Sequence, residues 1–334
     1  MTQAKPSNNE SISNNLEPRR ERTALNRALQ RLSTMELPGK DLFENYMRHK
    51  WRLNHKPKTM ESSFTSVMLF LRFYGASGKG DLKDLERSDL EAFIEHEQDR
   101  KMHISTVRTR MACIIAFIHF LMEQDVLPLS LLKRRIRLKL PDTLPRAMNP
   151  EDVKKLLSVI DHTRDRALIL LLLRTGIRIG EALGLTMRDI DLKERKVHLM
   201  EGEKNNMGRV VYLSDDAAFT LKRWFKWRDP EKTFVFYGKG DARMCYSTAR
   251  CRFKNYLKEA GLAHRNHTVH CLRHTMASGL LNAGMPLDGL SKLLGHQDIE
   301  ITRRYARLSD KTREEEYFRA MAKIQKGEID GDYR

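Results

Sequence analysis

Cysteine, proline and acidic residues are all in short supply in this chain. Four cysteines, Cys113, Cys245, Cys251 and Cys271, are scattered over 334 residues. None forms a paired short spacing, which excludes a disulfide framework and a zinc module and fits a reducing compartment. Ten prolines and 18 glycines are too few for a collagenous or low-complexity chain. Long apolar runs are missing as well: Ala167 to Leu173 is seven residues, whereas a bilayer span needs ~20. With no signal-peptide or lipidation pattern, the expectation is a cytoplasmic, nucleoid-associated protein without a membrane partner.

Acidic residues are the minority charge. Against 44 Asp and Glu stand 61 Lys and Arg, for a net charge of +17. An excess of that size predicts a polyanionic partner, nucleic acid first and an anionic membrane surface second. Apolar residues at 40% and charged residues at 31% describe a soluble, helix-rich chain, and the length suits about two domains.

The pattern along the chain supplies the organisation. Residues 1–39 are polar and read as a flexible tail, with apolar periodicity from Ala24 to Leu37 marking one short helix. From Lys40 to Leu132 four helices are expected. Leu42 and Tyr46 mark the first, and Phe64, Val67, Met68, Leu71 and Phe73 the second. Ser88 with Glu91 reads as a capping box ahead of Leu90, Phe93 and Ile94, and Met111, Ile114, Ile115, Ile118, Leu121 and Met122 mark the fourth. The cations Lys56, Lys58, Arg100, Lys101, Arg108 and Arg110 fit either a face laid on phosphates or ordinary solvated helix faces. Lys133, Arg134, Arg135, Arg137 and Lys139 put five cations into seven residues ahead of two prolines. Residues 133–147 are therefore read as a basic linker, a plain tether or a strap along a DNA backbone.

A second domain, residues 148–319, opens with Asn149-Pro150-Glu151-Asp152, where Asn caps, Pro takes the first helical position and acids meet the helix dipole. Helices follow, interrupted by three expected strands: Val197 to Leu199, Arg209 to Leu213 and Thr233 to Tyr237. The fold class is thus mainly α with a small antiparallel β-sheet, an α+β second domain behind an N-terminal helical bundle. Residues 320–334 form a tail.

Four local patterns in the second domain carry chemistry: Thr175-Gly176-Ile177-Arg178 with Glu181, Lys204 in the hairpin turn, His270-Cys271-Leu272-Arg273, and Leu294-Gly295-His296 followed nine residues later by Tyr305. Each alone is commonplace. A Thr-Gly-x-Arg is often a helix stop, His-x-x-Arg arises by chance, and a lone Tyr usually packs. In this order and at these spacings they resemble the tyrosine site-specific recombinase (phage integrase) family. That family has an Arg in Thr-Gly-x-Arg-x-x-Glu, a hairpin Lys, a His-x-x-Arg on a later helix, a Leu-Gly-His segment, and a Tyr nine residues after that His. The family's hairpin often carries two lysines. Here Lys204 falls on the first and Met207 on the second. The helical unit before the linker is similar, by helix pattern and position, to the family's SAM-like core-binding domain.

The resemblance implies a metal- and ATP-independent strand transfer on double-stranded DNA. A phosphodiester resists nucleophiles because its own charge shields it, so cations must hold its non-bridging oxygens. Arg178 and Arg273 suit this, since a guanidinium is planar, bidentate and permanently charged. Tyr305 is the candidate nucleophile and His270 the candidate acceptor of its proton. By resemblance, Lys204 protonates the departing 5′ oxygen, His296 donates to the phosphate, and Glu181 orients Arg178 or His270. No cofactor is implied. A metal site from His264, His267, His270, Cys271 and His274 is the competing reading. A non-enzymatic DNA-binding regulator and a type IB topoisomerase-like enzyme are the rival functions.

The segment with Tyr317, Phe318, Ala320, Met321 and Ile324 reads as a helix that docks on a neighbouring subunit or packs back on its own domain. A monomer that assembles into a homotetramer on paired DNA sites, with accessory DNA-bending or directionality proteins, is what the resemblance implies. It leaves open whether integration, excision or transposition is served.

Overall fold

In the computed structural model, which describes residues 23–141, 146–199 and 208–295 together with Met321, helices dominate and three short strands form the sheet. The chain divides into two compact units, Met1–Pro141 and Asp142–Arg334.

In the first unit, α1 (residues 23–33) precedes α2 (Lys40–Arg52), α3 (Pro57–Ala76), α4 (Arg87–Asp99) and α5 (Ile104–Glu123). Their apolar faces meet in an aromatic core. Phe43 stacks on Phe64 with ring centroids 5.4 Å apart, Tyr46 lies 5.1 Å from Phe117, and Phe70 meets Phe93 edge-on at 5.4 Å. Offset and edge-on pairings of this kind are the ones the ring quadrupole favours. α5 is long and apolar enough in composition to cross a membrane, but eight of its 20 residues are buried among its neighbours, as in a core helix. Gly39 turns the chain into α2 at a φ of 63°, a conformation that strains any residue with a Cβ.

Several expectations for this unit change. Residues 1–39 are not a tail throughout, because Leu25, Ala28 and Leu32 of α1 are buried in the bundle core. Their spacing of three and four places them on one helix face. The α4 start is held by Glu86 and Asp89 instead of Ser88 and Glu91: the Glu86 N–H donates to Asp89 Oδ2 at 2.8 Å, and Glu91 is occupied by Arg87 Nε at 2.7 Å. Arg100 and Arg110 both bind the fully buried Glu97 carboxylate, whereas Lys56, Lys58, Lys101 and Arg108 are exposed.

The expected linker is not a plain tether either. Leu131, Leu132, Ile136 and Leu138 pack against the bundle core, and Arg87 Nη1 donates to the Arg134 carbonyl at 2.6 Å. Lys133, Arg134, Arg135, Arg137 and Lys139 are all exposed. From Arg135 to Lys139 cations and apolar residues alternate. In extended chain a period of two sends one set inward and the other to solvent, so the stretch is a strap with a greasy underside. Residues 142–145 lie outside the described residues.

The second unit opens with α6 (Pro150–Ser158). Pro150 takes its first helical position, and Asn149 stands at the N-cap without a side-chain cap bond; its carbonyl accepts from Val153 N–H at 3.0 Å. α7 (Thr163–Thr175) is the centre, with every residue from Ala167 to Leu173 buried. A helix apolar on all sides needs neighbours on all sides, and α9 (Asp215–Trp227) and α11 (Val269–Asn282) flank it. α8 (Ile179–Gly184), α10 (Tyr246–Glu259) and α12 (Leu287–Leu294) complete the described helices of the unit.

Strands β1 (Ile190–Asp191), β2 (Lys196–Leu199) and β3 (Arg209–Tyr212) form an antiparallel sheet in that order. Val197 pairs with Val211, and Leu199 with Arg209. Val197, Leu199 and Val211 face the core, while His198 and Tyr212 face out. The strand expected at Thr233 to Tyr237 makes isolated bridges instead, Thr186 to Phe234 and Tyr237 to Arg243. Val235 N–H donates to the Leu185 carbonyl at 2.7 Å, so this segment is tied to the end of α8 and not to a sheet edge. β1 takes the place of the third strand.

Candidate active site

The site is assembled at the ends of helices. α7 stops because Gly176 adopts a φ of 63°, where a Cβ would come within 2.2 Å of Met276 Cε. Thr175 Oγ1 caps the turn by donating to the Leu171 carbonyl at 2.6 Å and accepting from Ile177 N–H at 3.4 Å. The reversal puts Arg178 at the N-cap of α8. Glu181, three residues on, reaches back and accepts from Arg178 N–H at 2.7 Å and from Arg178 Nη1 at 3.0 Å. The Arg-x-x-Glu spacing is therefore a helix start that clamps its own arginine. Of the two partners expected for Glu181, the structure shows Arg178.

Arg273 lies on α11 and is 3% exposed. It donates from Nη1 to the Gly176 carbonyl at 2.6 Å and from Nη2 to the Leu294 carbonyl at 2.8 Å. Arg178 Nη2 donates to the Gly295 carbonyl at 3.2 Å, so the two arginines expected to act together converge on one turn. That turn ends α12, where the last carbonyls of a helix lack intrahelical partners and carry the negative end of its dipole. His270 sits one turn before Arg273 and is exposed. Its ring centroid is 4.6 Å from that of His274, nearly perpendicular to it. Among the described residues no three His, Cys, Asp or Glu form a group able to hold a metal.

Arg209 is the residue the sequence reading passed over. It lies on β3 and meets both oxygens of Glu181, Nη1 to Oε1 at 3.1 Å and Nη2 to Oε2 at 2.8 Å. Its Nε donates to the Leu293 carbonyl at 3.1 Å. Burial by itself would raise the Glu181 pKa; the hydrogen bonds and charge of Arg209, and then those of Arg178, outweigh it and hold the carboxyl below its ordinary value. Two guanidiniums, Arg178 and Arg209, meet one carboxylate here, and Arg273 donates to the same turn, so positive charge is in excess. A signal was present in the sequence: in Arg209-Val210-Val211-Tyr212-Leu213 the arginine shares the parity of the buried Val211 and Leu213, a position that asks for a partner. Lys204, His296 and Tyr305 lie outside the described residues.

The second unit is thus a mostly helical body that carries a small antiparallel sheet, with two arginines from separate segments converging on one turn. Residues 146–312 match the model of the phage integrase family. The tyrosine recombinase XerC of Roseiflexus sp. (strain RS-1) is 29% identical over 284 residues, covering 80% of this chain and 90% of that protein. The tyrosine recombinase XerD of Listeria monocytogenes serotype 4b (strain F2365) is 30% identical over 250 residues, 70% of this chain and 82% of that protein. Among solved structures, the Tn1549 transposon integrase in complex with transposon right end DNA superimposes with a TM-score of 0.66 at 20% identity, over 84% of this chain and 98% of that one. The XerH site-specific recombinase bound to a palindromic difH substrate gives 0.66 at 21% identity, over 83% and 82%. The chain belongs to the phage integrase family, the tyrosine site-specific recombinases. It is accordingly an enzyme and not a DNA-binding regulator.

Proposed function

We propose that the chain cuts and rejoins double-stranded DNA through Tyr305 and serves the integration, excision or transposition of a DNA element. The phenolic oxygen of Tyr305 forms a bond to the scissile phosphorus as the bond from phosphorus to the 5′ oxygen breaks. The phenol proton passes to His270, and Lys204 supplies a proton to the departing 5′ oxygen. Arg178 and Arg273 hold the non-bridging oxygens, His296 donates a further hydrogen bond, and Glu181 keeps Arg178 in place. The product is a 3′-phosphotyrosine and a free 5′ hydroxyl. Attack by the 5′ hydroxyl of another strand reverses the step, so bond energy is conserved and no nucleotide cofactor is consumed.

The observation that carries this reading is the convergence of Arg178 and Arg273 on the carbonyls of Gly295 and Leu294. Two guanidiniums that grip partial negative charge a few ångströms apart also suit the two non-bridging oxygens of a phosphate. The exposed cations Lys133, Arg134, Arg135, Arg137 and Lys139 add phosphate contacts. Assembly is a homotetramer on paired sites, with accessory DNA-bending or directionality proteins choosing the outcome.

The test starts with Tyr305→Phe, which removes the attacking oxygen alone. DNA recovered with that protein from cells is sequenced to identify the site, and the unchanged chain is then incubated with the recovered duplex and run on a denaturing gel. A covalent adduct with the unchanged chain and none with Tyr305→Phe is expected. An adduct that survives the substitution removes Tyr305 from its role. Recovery of element ends and their targets would identify the process, whereas a single chromosomal site would point to dimer resolution.

A further inference from the structure

The proposed chemistry assigns roles to Arg178 and Arg273 and leaves a third, half-buried arginine of the cluster without one. Arg209 joins three segments that are far apart in sequence. It lies on β3, five residues after Lys204 in the chain. Its two Nη atoms hold Glu181 at 2.8 and 3.1 Å, and its Nε holds the Leu293 carbonyl at 3.1 Å. Its side chain is 12% exposed. The backbone of Gly295 lies so close that a Cβ there would stand 2.9 Å from Arg209 Nη1, and His296 is the next residue.

The hydrogen-bond pattern around Glu181 shows what such an arginine does. A carboxylate and a guanidinium left to themselves form a two-pronged pair, in which each oxygen takes one N–H. Glu181 gives that arrangement to Arg209. Arg178 is left with one side-chain bond to Oε1 at 3.0 Å, and its Nη2 turns to the Gly295 carbonyl at 3.2 Å. If Arg209 were neutral, the side-chain cation left on Glu181 among the described residues would be Arg178, and the two would close into the two-pronged pair. That closure would cancel the charge of Arg178 and draw it away from the turn that ends α12.

We propose that Arg209 is a positioning residue for strand cleavage: by occupying both oxygens of Glu181 and the Leu293 carbonyl, it keeps the Arg178 guanidinium turned towards the scissile phosphate and fixes the turn that leads into His296. The proposal rests on the phosphate-clamping role of Arg178 in the functional reading above.

The experiment measures single-turnover adduct formation, at saturating protein, on the duplex recovered with Tyr305→Phe. Two forms of that duplex are used, one with a normal scissile phosphate and one with a methylphosphonate, which lacks the charge that Arg178 neutralises. Arg209→Gln should slow cleavage of the phosphate by ~100-fold, the scale of losing a preorganised cation, and cleavage of the methylphosphonate by less than ~10-fold. Half-saturating protein concentrations should change little. Adding Glu181→Gln to Arg209→Gln should not slow the phosphate reaction further, because the competing charge is gone. Arg209→Lys keeps the charge for folding but not the fork, and should show the same preference for the methylphosphonate with a smaller defect. Equal slowing of both substrates, slowdowns that multiply in the double variant, or a normal rate in a folded Arg209→Gln protein would each overturn the proposal. A lack of adduct with the unchanged chain would instead defeat the functional reading, and this inference with it.

Discussion

Two charge clusters, one in each unit, are built in opposite ways. In the first, Glu97 is fully buried and takes partners three and 13 residues away, at the C-cap of its own helix and on the next helix. It braces a bundle whose buried residues are mostly aromatic and aliphatic. In the second, Arg209, Arg273 and Arg178 donate to three consecutive carbonyls, Leu293, Leu294 and Gly295, at sequence separations of 84, 21 and 117. The Glu97 cluster thus holds helices, whereas helices and a strand hold the arginine cluster. A local cluster serves stability; one drawn from distant segments concentrates positive charge where no single segment could place it.

The sharpest way to break this contrast is Arg273→Lys. A lysine ammonium cannot span the Gly176 and Leu294 carbonyls, nor grip an oxygen bidentately, so adduct formation should fall by ~1000-fold on a denaturing-gel time course. A rate near normal would mean that the fork geometry is immaterial. Glu97→Gln is the mirror experiment. It should lower the unfolding free energy by ~2 kcal/mol, the scale of hydrogen bonds to a charged group, because the buried Glu97 loses its charge-assisted bonds to Arg100 and Arg110, yet leave the single-turnover rate at saturating DNA unchanged. A slower chemical step in a folded Glu97→Gln protein would dissolve the division of labour.

Glu181 sharpens the comparison through pH. Its folded pKa is held below the ordinary carboxylate value by Arg209 and Arg178, against the pull of burial. A depressed folded pKa contributes stability that is complete above the unfolded pKa and is lost as pH falls through the folded one. At pH 7 the unchanged chain should therefore exceed Glu181→Gln in unfolding free energy by ~2 kcal/mol, the scale of hydrogen bonds to a charged group. Denaturant titrations should show that gap narrowing below about pH 4.3, the ordinary glutamate value. A gap that persists in acid would place its origin elsewhere than in this carboxylate. The smallest effect concerns the strap. Replacing Arg135, Arg137 and Lys139 with Gln should leave melting unchanged and reduce the slope of log affinity against log salt by up to ~0.9 for each cation that meets a phosphate. Coincident slopes would mean that the strap does not touch DNA.

Sequence pattern and structure agree best where partners are close in sequence. Helices α2 to α5 and the hydrophobic α7 follow from spacing alone, because residues three and four apart on a helix share a face whatever lies beyond it. Pro150 at a helix start and Gly176 at a helix stop are legible for the same reason. The misreadings concern choices among nearby alternatives. Ser88 and Glu86 both offer a cap to α4, and geometry selects Glu86 because Asp89 reaches its N–H. Thr233 to Tyr237 has strand composition, but a strand needs a partner, and its backbone bonds go to Leu185 and the 242–244 segment.

What the sequence by itself determined is the family, the helical character of both units, and the identity of Arg178, Glu181, His270 and Arg273 as chemical candidates, since residue type and spacing are properties of the chain. Tertiary structure alone decided that α1 is part of the bundle, that the basic stretch is a strap packed on its apolar side, and that Arg209 shares Glu181 with Arg178. Each of these depends on which surface lies opposite, and the sequence does not encode that as a local signal: Leu25 is buried because a core is there to receive it, and Arg209 finds its carboxylate 28 residues away only once β3 and α8 have packed on the same core.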